Sequence, residues 1–254
     1  MKVTQIDTQL CTIGEGPVWD AAEQALYFID ILGKKVLRFD PASGETRSWT
    51  VPDVIGSMAL RAEGGAIVAL TNGVHTLDFE SGACEMLATH SDLNETVQLA
   101  DGKVDRRGRF IVGSSDRTMK EPRGKLYTLG LDATLCEIDD DIFLSNGPCW
   151  SPDNKILYHS DSIRNTVFAY DYDIATGTAT NRRAWANTEA LGGIPDGATI
   201  DTDGCMWMAI CEGQKVVQFR PDGGLERVID MPVKCPSSVI FGGRALDQLY
   251  VTSL

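Results

Sequence analysis

The sequence predicts an all-β fold, a β-propeller with six blades, on three observations. A unit of two short apolar strands joined by a turn, seen most clearly in SNGPCWSPDNKILYHSD (residues 145–161), recurs six times in the 254 residues. The centres of the second strands are 40, 43, 47, 50 and 43 residues apart and lie at Tyr27, Ile67, Phe110, Leu157, Trp207 and Tyr250. A repeat of this length built from strands and turns is typical of propeller blades. Helical periodicity is nearly absent.

The blades are expected to follow one another along the chain. The first ends near Val51, the next four cover residues 52–94, 95–140, 141–187 and 188–232, and the sixth begins near residue 233. Third strands are predicted at Lys35–Asp40, Val74–Phe79, Lys125–Leu129, Thr166–Asp171 and Lys215–Phe219. No linker or low-complexity segment divides the chain, so residues 1–254 are predicted to form a single propeller domain.

The last blade is predicted to be incomplete at the C-terminus, because its third strand would follow Leu254. Residues 3–9 alternate apolar and polar side chains, and we expect them to form a strand that joins this blade and closes the ring. Otherwise the open strand edge would favour pairing with a second chain, or the chain is shortened. A monomer and a homodimer both stay open.

The charge of the chain limits its partners. The formal net charge is −13, and no basic stripe runs along any element, which argues against nucleic acid and against anionic membranes. The seven cysteines are scattered without a CxxC pair, and no stretch resembles a signal peptide or a membrane span. We therefore expect a cytoplasmic protein with a small-molecule partner.

The residues just before the innermost strands carry the chemistry. In chain order they are Glu15, Gly56, Asp101, Asn146, Asp196 and Pro236. Equivalent positions of a propeller form a ring at one mouth of the central channel, and four of these six carry oxygen and precede a glycine. Hard oxygen donors without histidine or cysteine suit a divalent cation. Any one Asp-Gly or Asn-Gly alone would more simply be a turn.

Longer insertions occur at Leu87–Gln98, Gly113–Gly124 and Trp185–Pro195. The middle one carries Arg117, Lys120 and Arg123 in an otherwise acidic protein. These are either ordinary surface charges or part of a lid that attracts an anionic or polyhydroxylated substrate. His159, beside Asp161 on a strand, is either structural or supports the site.

Taken in chain order, these motifs resemble the senescence marker protein/gluconolactonase/regucalcin family. Within it, they look similar to the bacterial aldonolactonases. The matching strings cover nearly the whole chain and are GEGPVW (14–19), DGKVDRRGRF (101–110), SNGPCWSPD (145–153), NRR (181–183) and IPDG (194–197). The resemblance implies a six-bladed propeller that hydrolyses sugar lactones with one divalent metal ion. It implies Glu15, Asn146 and Asp196 as metal ligands, with Asp196 also the catalytic base. Calcium, zinc, magnesium, manganese and iron all remain candidates for the ion.

Two departures from the family pattern concern the substrate. The family's arginine and asparagine before the third inner strand are replaced by Gln98 and Ala100. The resemblance places Asp101 beside the site, and Gln98, Asp101, Arg117 and Glu121 are the predicted substrate-binding residues. Asp116 is an alternative to Glu121. The basic loop suggests the hypothesis of a lactone that carries a carboxylate or a sulfonate.

The resulting prediction is a metal-dependent lactonase that opens a small sugar acid lactone of the gluconolactone or xylonolactone type. A GxSxG nucleophile elbow is absent, which argues against a serine hydrolase. The alternatives are a phosphotriesterase-like propeller hydrolase and a non-catalytic calcium-binding propeller.

Overall fold

The computed structural model describes residues 3–6 and 9–254, and within them the protein is an all-β propeller. The strands of these residues are numbered β1 to β22, and the one helical element is a single 3-10 turn, Glu189–Leu191. No helix in the described part of the chain is long and apolar enough to cross a membrane.

The first three blades are four-stranded sheets in which consecutive strands pair antiparallel. Blade one has β1 (Gly14–Asp20), β2 (Ala25–Asp30), β3 (Lys35–Phe39) and β4 (Thr46–Thr50). Blade two has β5 (Ile55–Leu60), β6 (Ala66–Leu70), β7 (Gly73–Leu77) and β8 (Cys84–Ala88). Blade three has β9 (Val97–Val104), β10 (Phe110–Asp116), β11 (Gly124–Leu129) and β12 (Leu135–Ile142).

The next two blades have the same topology. Blade four has β13 (Ser145–Trp150), β14 (Ile156–Asp161), β15 (Thr166–Asp173) and β16 (Thr178–Asn187). Blade five has β17 (Ile194–Ile200), β18 (Met206–Cys211), β19 (Lys215–Phe219) and β20 (Leu225–Asp230). The sixth sheet has two strands, β21 (Pro236–Gly242) and β22 (Gln248–Ser253).

The propeller prediction is confirmed, but the prediction of six blades is wrong, because residues 3–6 and 9–254 form five complete blades. In this described part of the chain the sixth unit has only the strands β21 and β22, with β22 as the outer edge, in line with the predicted incomplete last blade. The six inner strands still form a closed circle, since β21 packs against both β17 and β1. Trp19 of blade one stacks on Tyr250 of the sixth sheet with ring centroids 5.4 Å apart.

The N-terminal segment does not complete the sixth sheet in the described residues. Residues 3–6 and 9 form no strand, so the predicted closing strand over 3–9 is wrong there, and residues 7 and 8 lie outside the described part. The physical reason is that a short apolar–polar alternation is a weak signal and a lone strand gains stability only from a partner edge.

The hydrophobic core lies between the blades. The second strands are buried on both faces, as in β2 and β18, because each blade is covered by its neighbours on either side. Tyr27 and Trp49 of blade one, for example, both stack on Phe79 of blade two, with centroids 5.6 and 4.2 Å away. Packing between neighbouring sheets holds the inner strands at fixed distances from the propeller axis.

Each inner strand begins with a register shift. The shift lies between Glu15 and Val18 in β1, and its counterparts are Ile55/Ser57, Leu99/Gly102, Asn146/Cys149, Pro195/Ala198 and Pro236/Val239. A bulge leaves residues unpaired, bends the strand and re-aims its side chains. The same irregularity, repeated six times, turns the predicted ring positions toward the channel mouth.

A buried polar cluster links blades three and four. Asp105 Oδ2 accepts hydrogen bonds from Arg109 Nη1 and from the Tyr172 hydroxyl, both at 2.7 Å. Its Oδ1 accepts the backbone N–H groups of Arg107 and Arg109. The Asp105 side chain is fully buried, so these four donors replace the water it loses.

We predict that Asp105→Ala lowers the free energy of unfolding by about 3 kcal/mol, because it leaves the buried Tyr172 hydroxyl and two backbone N–H groups without their acceptor and removes the carboxylate paired with Arg109. Chemical denaturation measures the change. Glu63→Ala removes an ion-pair partner that is 88% exposed and, as the control, should cost less than about 0.5 kcal/mol. Equal costs for the two variants would contradict the role given to Asp105.

Candidate functional site

The four predicted ring residues lie at the starts of four inner strands. Glu15 and Asn146 hold the last paired positions before the bulges of β1 and β13, and Asp101 and Asp196 lie within the bulges of β9 and β17. Glu15 and Asp101 are buried, whereas Asn146 and Asp196 are half-buried and thus reachable from solvent. The structure brings residues of four separate blades to one end of the axis.

The three acidic side chains influence one another directly. Burial raises the pKa of Glu15 well above its ordinary value, and the charges of Asp196 and Asp101 raise it further. Loss of hydration also raises the pKa of Asp196, with Asp101 as the next cause, and the Asp196 carboxyl lies close enough to Glu15 to share a hydrogen bond. Like charges about 4 Å apart repel by roughly 4 kcal/mol at an effective dielectric constant of about 20.

Backbone N–H groups relieve part of this repulsion. Glu15 Oε2 accepts the N–H of Gly16, and Asp101 Oδ1 accepts that of Gly102 at 2.7 Å. Asp101 Oδ2 also accepts the N–H of Gly147, in the next blade, at 2.8 Å. Both oxygens of Asp101 are therefore used inside the protein, while Glu15 Oε1 is buried without any hydrogen-bond partner.

Glycine at position 147 is required by both backbone angle and space. Its φ is +62°, in the left-handed region, and a Cβ there would lie 2.8 Å from the carbonyl oxygen of Asp196. The close approach sets the segment that carries Asn146 against the segment that carries Asp196.

A neighbouring serine holds the side-chain amide of Asn146 by a hydrogen bond. Its Nδ2 donates to Ser162 Oγ at 2.9 Å, and the Ser162 hydroxyl donates to the carbonyl of Pro195 at 2.6 Å. The amide oxygen is consequently the part of Asn146 that remains for a ligand.

The donor set fits a hard divalent cation. The charge of Asp196 disfavours ionisation of Glu15, and one oxygen of Glu15 is buried without a partner. The amide of Asn146 is linked through Ser162 to the carbonyl of Pro195, directly before Asp196. A cation replaces this repulsion with attraction, and oxygen donors are those that Ca²⁺, Mg²⁺ and Mn²⁺ prefer. Among the described residues, no group of three His, Cys, Asp or Glu side chains is arranged to hold a metal ion.

The sequence profile of the SMP-30/Gluconolactonase/LRE-like region matches residues 13–254. This chain belongs to that family. The family predicted from the sequence motifs is thus confirmed.

Several relatives are similar over almost the whole chain. Regucalcin of Xenopus laevis is 36% identical over 259 residues, covering 100% of this chain and 87% of that protein. A 6-deoxy-6-sulfogluconolactonase of Pseudomonas putida is 36% identical over 247 residues, covering 96% of this chain and 84% of the relative. The solved structure of a luciferin-regenerating enzyme superposes with a TM-score of 0.91 at 31% identity, covering 96% of this chain and 84% of that one.

The predicted substrate-binding residues of this SMP-30/gluconolactonase family member do not all lie together. Gln98 is half-buried in β9, opposite Ser115 and close along the strand to Asp101. Arg117 is exposed, and its guanidinium lies 3.4 Å from the carbonyl of Glu95, facing a surface pocket rather than a ring carboxylate. Glu121 is exposed on the same loop.

Asp116, the alternative to Glu121, has a structural role. It is buried, and its Oδ1 accepts hydrogen bonds from the backbone N–H and the hydroxyl of Thr118 at 2.8 and 2.9 Å. This carboxylate shapes the start of the basic loop and is not free for a substrate.

Lys103 belongs to the site and was missed in the sequence. Its Nζ donates to the carbonyl of Ala198 at 2.6 Å, which joins blade three to blade five. Its positive charge lowers the pKa of both Glu15 and Asp101 against the opposing effect of burial. The available signal was a charged residue inside an otherwise apolar inner strand, two positions after Asp101.

His159 lies behind the ring and is fully buried. Its Nε2 is 2.7 Å from Ser145 Oγ, next to Asn146, and its Nδ1 has no partner. Burial lowers the pKa of His159 to about 3, and the nearby charge of Arg182 lowers it as well. His159 is accordingly a neutral packing residue that contacts the neighbour of a ring residue.

We predict that His159 makes the fold sensitive to acid. The folded protein takes up this proton only near pH 3, whereas the unfolded chain does so near its ordinary pKa of 6.5. Between these values the unfolded state binds more protons, so stability falls as the pH falls. At about pH 4 the loss attributable to His159 is about 3 kcal/mol.

Chemical denaturation of wild type and His159→Gln at about pH 7 and about pH 4 measures this contribution. The variant should lose less stability between the two pH values than wild type, whatever its absolute stability. An identical loss in both proteins would show that His159 does not cause the acid sensitivity.

Proposed function

We propose that the protein is a metal-dependent lactonase that opens the ring of a small sugar acid lactone. The observation that supports the proposal is the pair of neighbouring carboxyl groups of Glu15 and Asp196, with Glu15 Oε1 buried and unpartnered and the amide of Asn146 linked through Ser162 to the segment that carries Asp196. The name of the sulfogluconolactonase relative supports this activity, since that protein is 36% identical over nearly the full chain.

Glu15, Asn146 and Asp196 would hold the cation through their carboxylate and amide oxygens. When bound, a divalent ion there polarises the lactone carbonyl and acidifies water. Calcium, zinc, magnesium, manganese and iron are all compatible with one such ion, and the oxygen-only donor set favours the harder ones.

Asp196 acts as the general base in this proposal. It is half-buried, so water and substrate reach it, and a carboxylate beside the cation can accept a proton from the attacking water. Asp101 is less suited, because both its oxygens already accept backbone N–H groups. As water adds to the carbonyl carbon, one of its protons passes to Asp196. When the bond between the carbonyl carbon and the ring oxygen breaks, Asp196 returns that proton to the ring oxygen, which leaves as the alcohol, while the oxygen of water stays in the new carboxyl group.

Lys103 and Asp101 support this arrangement without contacting the reacting atoms. Lys103 fixes the carbonyl of Ala198, two residues after the base, and its charge offsets the buried carboxylates. Asp101 fixes Gly147, one residue after the amide ligand. Both hold the ring residues at a set spacing, as effective catalysis requires.

The substrate class is proposed to be a gluconolactone- or xylonolactone-like molecule, with a negatively charged substituent as the finer proposal. Arg117, Lys120 and Arg123 are exposed on the loop that leaves β10 after Asp116. Asp116 pairs with Val97 at the start of β9, so this loop rises from the same end as the ring. Gln98 and Glu121 complete the proposed substrate-binding group.

We place the protein in the cytoplasm as part of the same proposal. All seven cysteines are free, as expected in a reducing compartment.

The activity is tested by proton release from a panel of aldonolactones, with chelator and after addition of single divalent ions. We expect turnover to disappear with chelator and to return with the preferred ion. Asp196→Asn should lower kcat by about 10²- to 10⁴-fold, because it removes the base. Asp203→Asn, an exposed acid-to-amide change in the same blade, is the matched control and should leave kcat unchanged.

Hydrolysis that is indifferent to chelator would contradict metal dependence. Cation binding without turnover of any lactone would instead support a non-catalytic calcium-binding propeller.

A comparison of neutral and anionic lactones tests the finer substrate proposal. We expect the double variant with Arg117→Ala and Lys120→Ala to raise KM for a carboxylated or sulfonated lactone about 10-fold, since attraction by exposed charges is modest and screened by salt. KM for the neutral parent lactone should not change. A clear preference of wild type for neutral lactones would remove the proposal.

A further inference from the structure

Buried serine side chains contact the main chain next to each of the four oxygen-bearing ring residues, Glu15, Asp101, Asn146 and Asp196. In three cases a serine of one blade donates its hydroxyl hydrogen to the carbonyl of the residue directly before an acidic ring residue of the next blade. The pairs are Ser57 with Ala100 at 2.8 Å, Ser162 with Pro195 at 2.6 Å and Ser237 with Gly14 at 2.6 Å. The acids that follow these carbonyls are Asp101, Asp196 and Glu15.

The fourth ring residue is served by a serine acting as acceptor. Ser115 of blade three accepts the N–H of Ser145 at 3.1 Å, directly before Asn146. Each of these bonds crosses a blade boundary. A hydroxyl on a single carbon reaches only a short distance, so each bond fixes how closely two blades approach at the mouth of the channel.

These four serines are buried, so their hydroxyl groups are not ordinary solvent-exposed groups. Ser57, Ser162 and Ser237 are 0% exposed and Ser115 is 4% exposed. A buried hydroxyl is tolerated when it is hydrogen-bonded. Their common feature is therefore the bond to the segment that carries the next ring residue.

Ser162 does more than the other three, because it also contacts a ring side chain. A hydroxyl has one hydrogen, and a carbonyl oxygen can only accept, so the hydrogen of Ser162 is committed to Pro195. Toward Asn146, Ser162 Oγ can then only accept, and it must face the Nδ2 group of that amide. The amide oxygen of Asn146 is thereby turned away from Ser162 and left for a cation.

We propose that Ser162 is a positioning residue that sets the orientation of the Asn146 amide and the position of Asp196, and so determines cation affinity. Ser57, Ser115 and Ser237 are positioning residues of the same kind for the other ring segments. The inference rests on the proposed function, since it assumes a cation held by Asn146 and Asp196. It assigns a role to residues that contact neither the cation nor the substrate.

The test compares Ser162→Ala with Ser160→Ala by isothermal titration of the chelator-treated proteins with CaCl₂ and with MnCl₂. Ser160 is the matched control, because it lies two residues away, is 0% exposed, and its hydroxyl has no hydrogen-bond partner. Loss of a residue that orients a metal ligand typically weakens binding by about 10- to 100-fold, and we expect this for Ser162→Ala. Ser160→Ala should stay within about twofold of wild type.

Two further measurements separate positioning from general damage. Thermal unfolding in chelator should show one cooperative transition for each alanine variant, with the lower midpoint for Ser162→Ala, because this change leaves the carbonyl of Pro195 and the amide of Asn146 without a partner. Saturating cation should restore kcat of Ser162→Ala largely to the wild-type value. Ser237→Ala, which fixes the Glu15 segment but no ligand amide, should weaken cation binding less than Ser162→Ala. If Ser162→Ala fails to fold, the cation affinity of Ser237→Ala still tests the positioning role.

The outcomes are distinct. If wild type binds the cation and Ser162→Ala and Ser237→Ala bind it as tightly as Ser160→Ala, the positioning role is overturned while the lactonase proposal stands. If wild type binds neither ion, the proposed metal site and this inference both fail. Weakened binding in the order Ser162→Ala, Ser237→Ala, Ser160→Ala supports the inference.

Discussion

Mutual repulsion among buried carboxyl groups is the constraint around which the mouth of this propeller is built. Burial raises the free energy of ionising Glu15 and Asp196, the charges of Asp196 and Asp101 add to that of Glu15, and the charge of Asp101 adds to that of Asp196. The protein offsets part of it with backbone N–H groups and with the ammonium of Lys103, yet one oxygen of Glu15 stays without a partner. A chain selected for stability alone would fill this place with apolar side chains. The arrangement makes physical sense when a cation completes it.

Propeller geometry lets a short sequence satisfy that constraint. The inner strands of successive blades lie side by side around one axis, so equivalent positions meet at the same height without long loops. The bulge at the start of each inner strand then turns one or two side chains from the blade face toward the channel. The identity of those side chains is free to differ from blade to blade, because the backbone irregularity rather than the residue sets the direction. One scaffold feature thus serves six positions, and four of them carry oxygen here.

The sequence allowed much of this to be predicted, for local reasons. Alternating apolar residues and turn residues define a strand within a few positions, so the second-strand centres and the ring residues Glu15, Asp101, Asn146 and Asp196 fall where the repeat places them. The predicted closing strand over residues 3–9 is wrong in the described residues, because the pairing of an outer strand depends on a distant edge. Lys103, Ser57, Ser162 and Ser237 were missed for a related reason. They act through main-chain carbonyls of other blades, and a carbonyl has no residue type to recognise.

The proposed function assigns substrate recognition and ion binding to different parts of this molecule. The ring residues sit on inner strands held by neighbouring blades, whereas the basic loop after Asp116 is exposed and is shaped chiefly by its own turn bonds. Gln98 and Ala100 lie between the two, where the family pattern has arginine and asparagine. Both oxygens of Asp101 accept main-chain N–H groups, so this carboxylate has little capacity left to hydrogen-bond a substrate. In the proposed function, a substrate therefore finds polar partners on the loop, where Arg117, Lys120 and Arg123 are exposed.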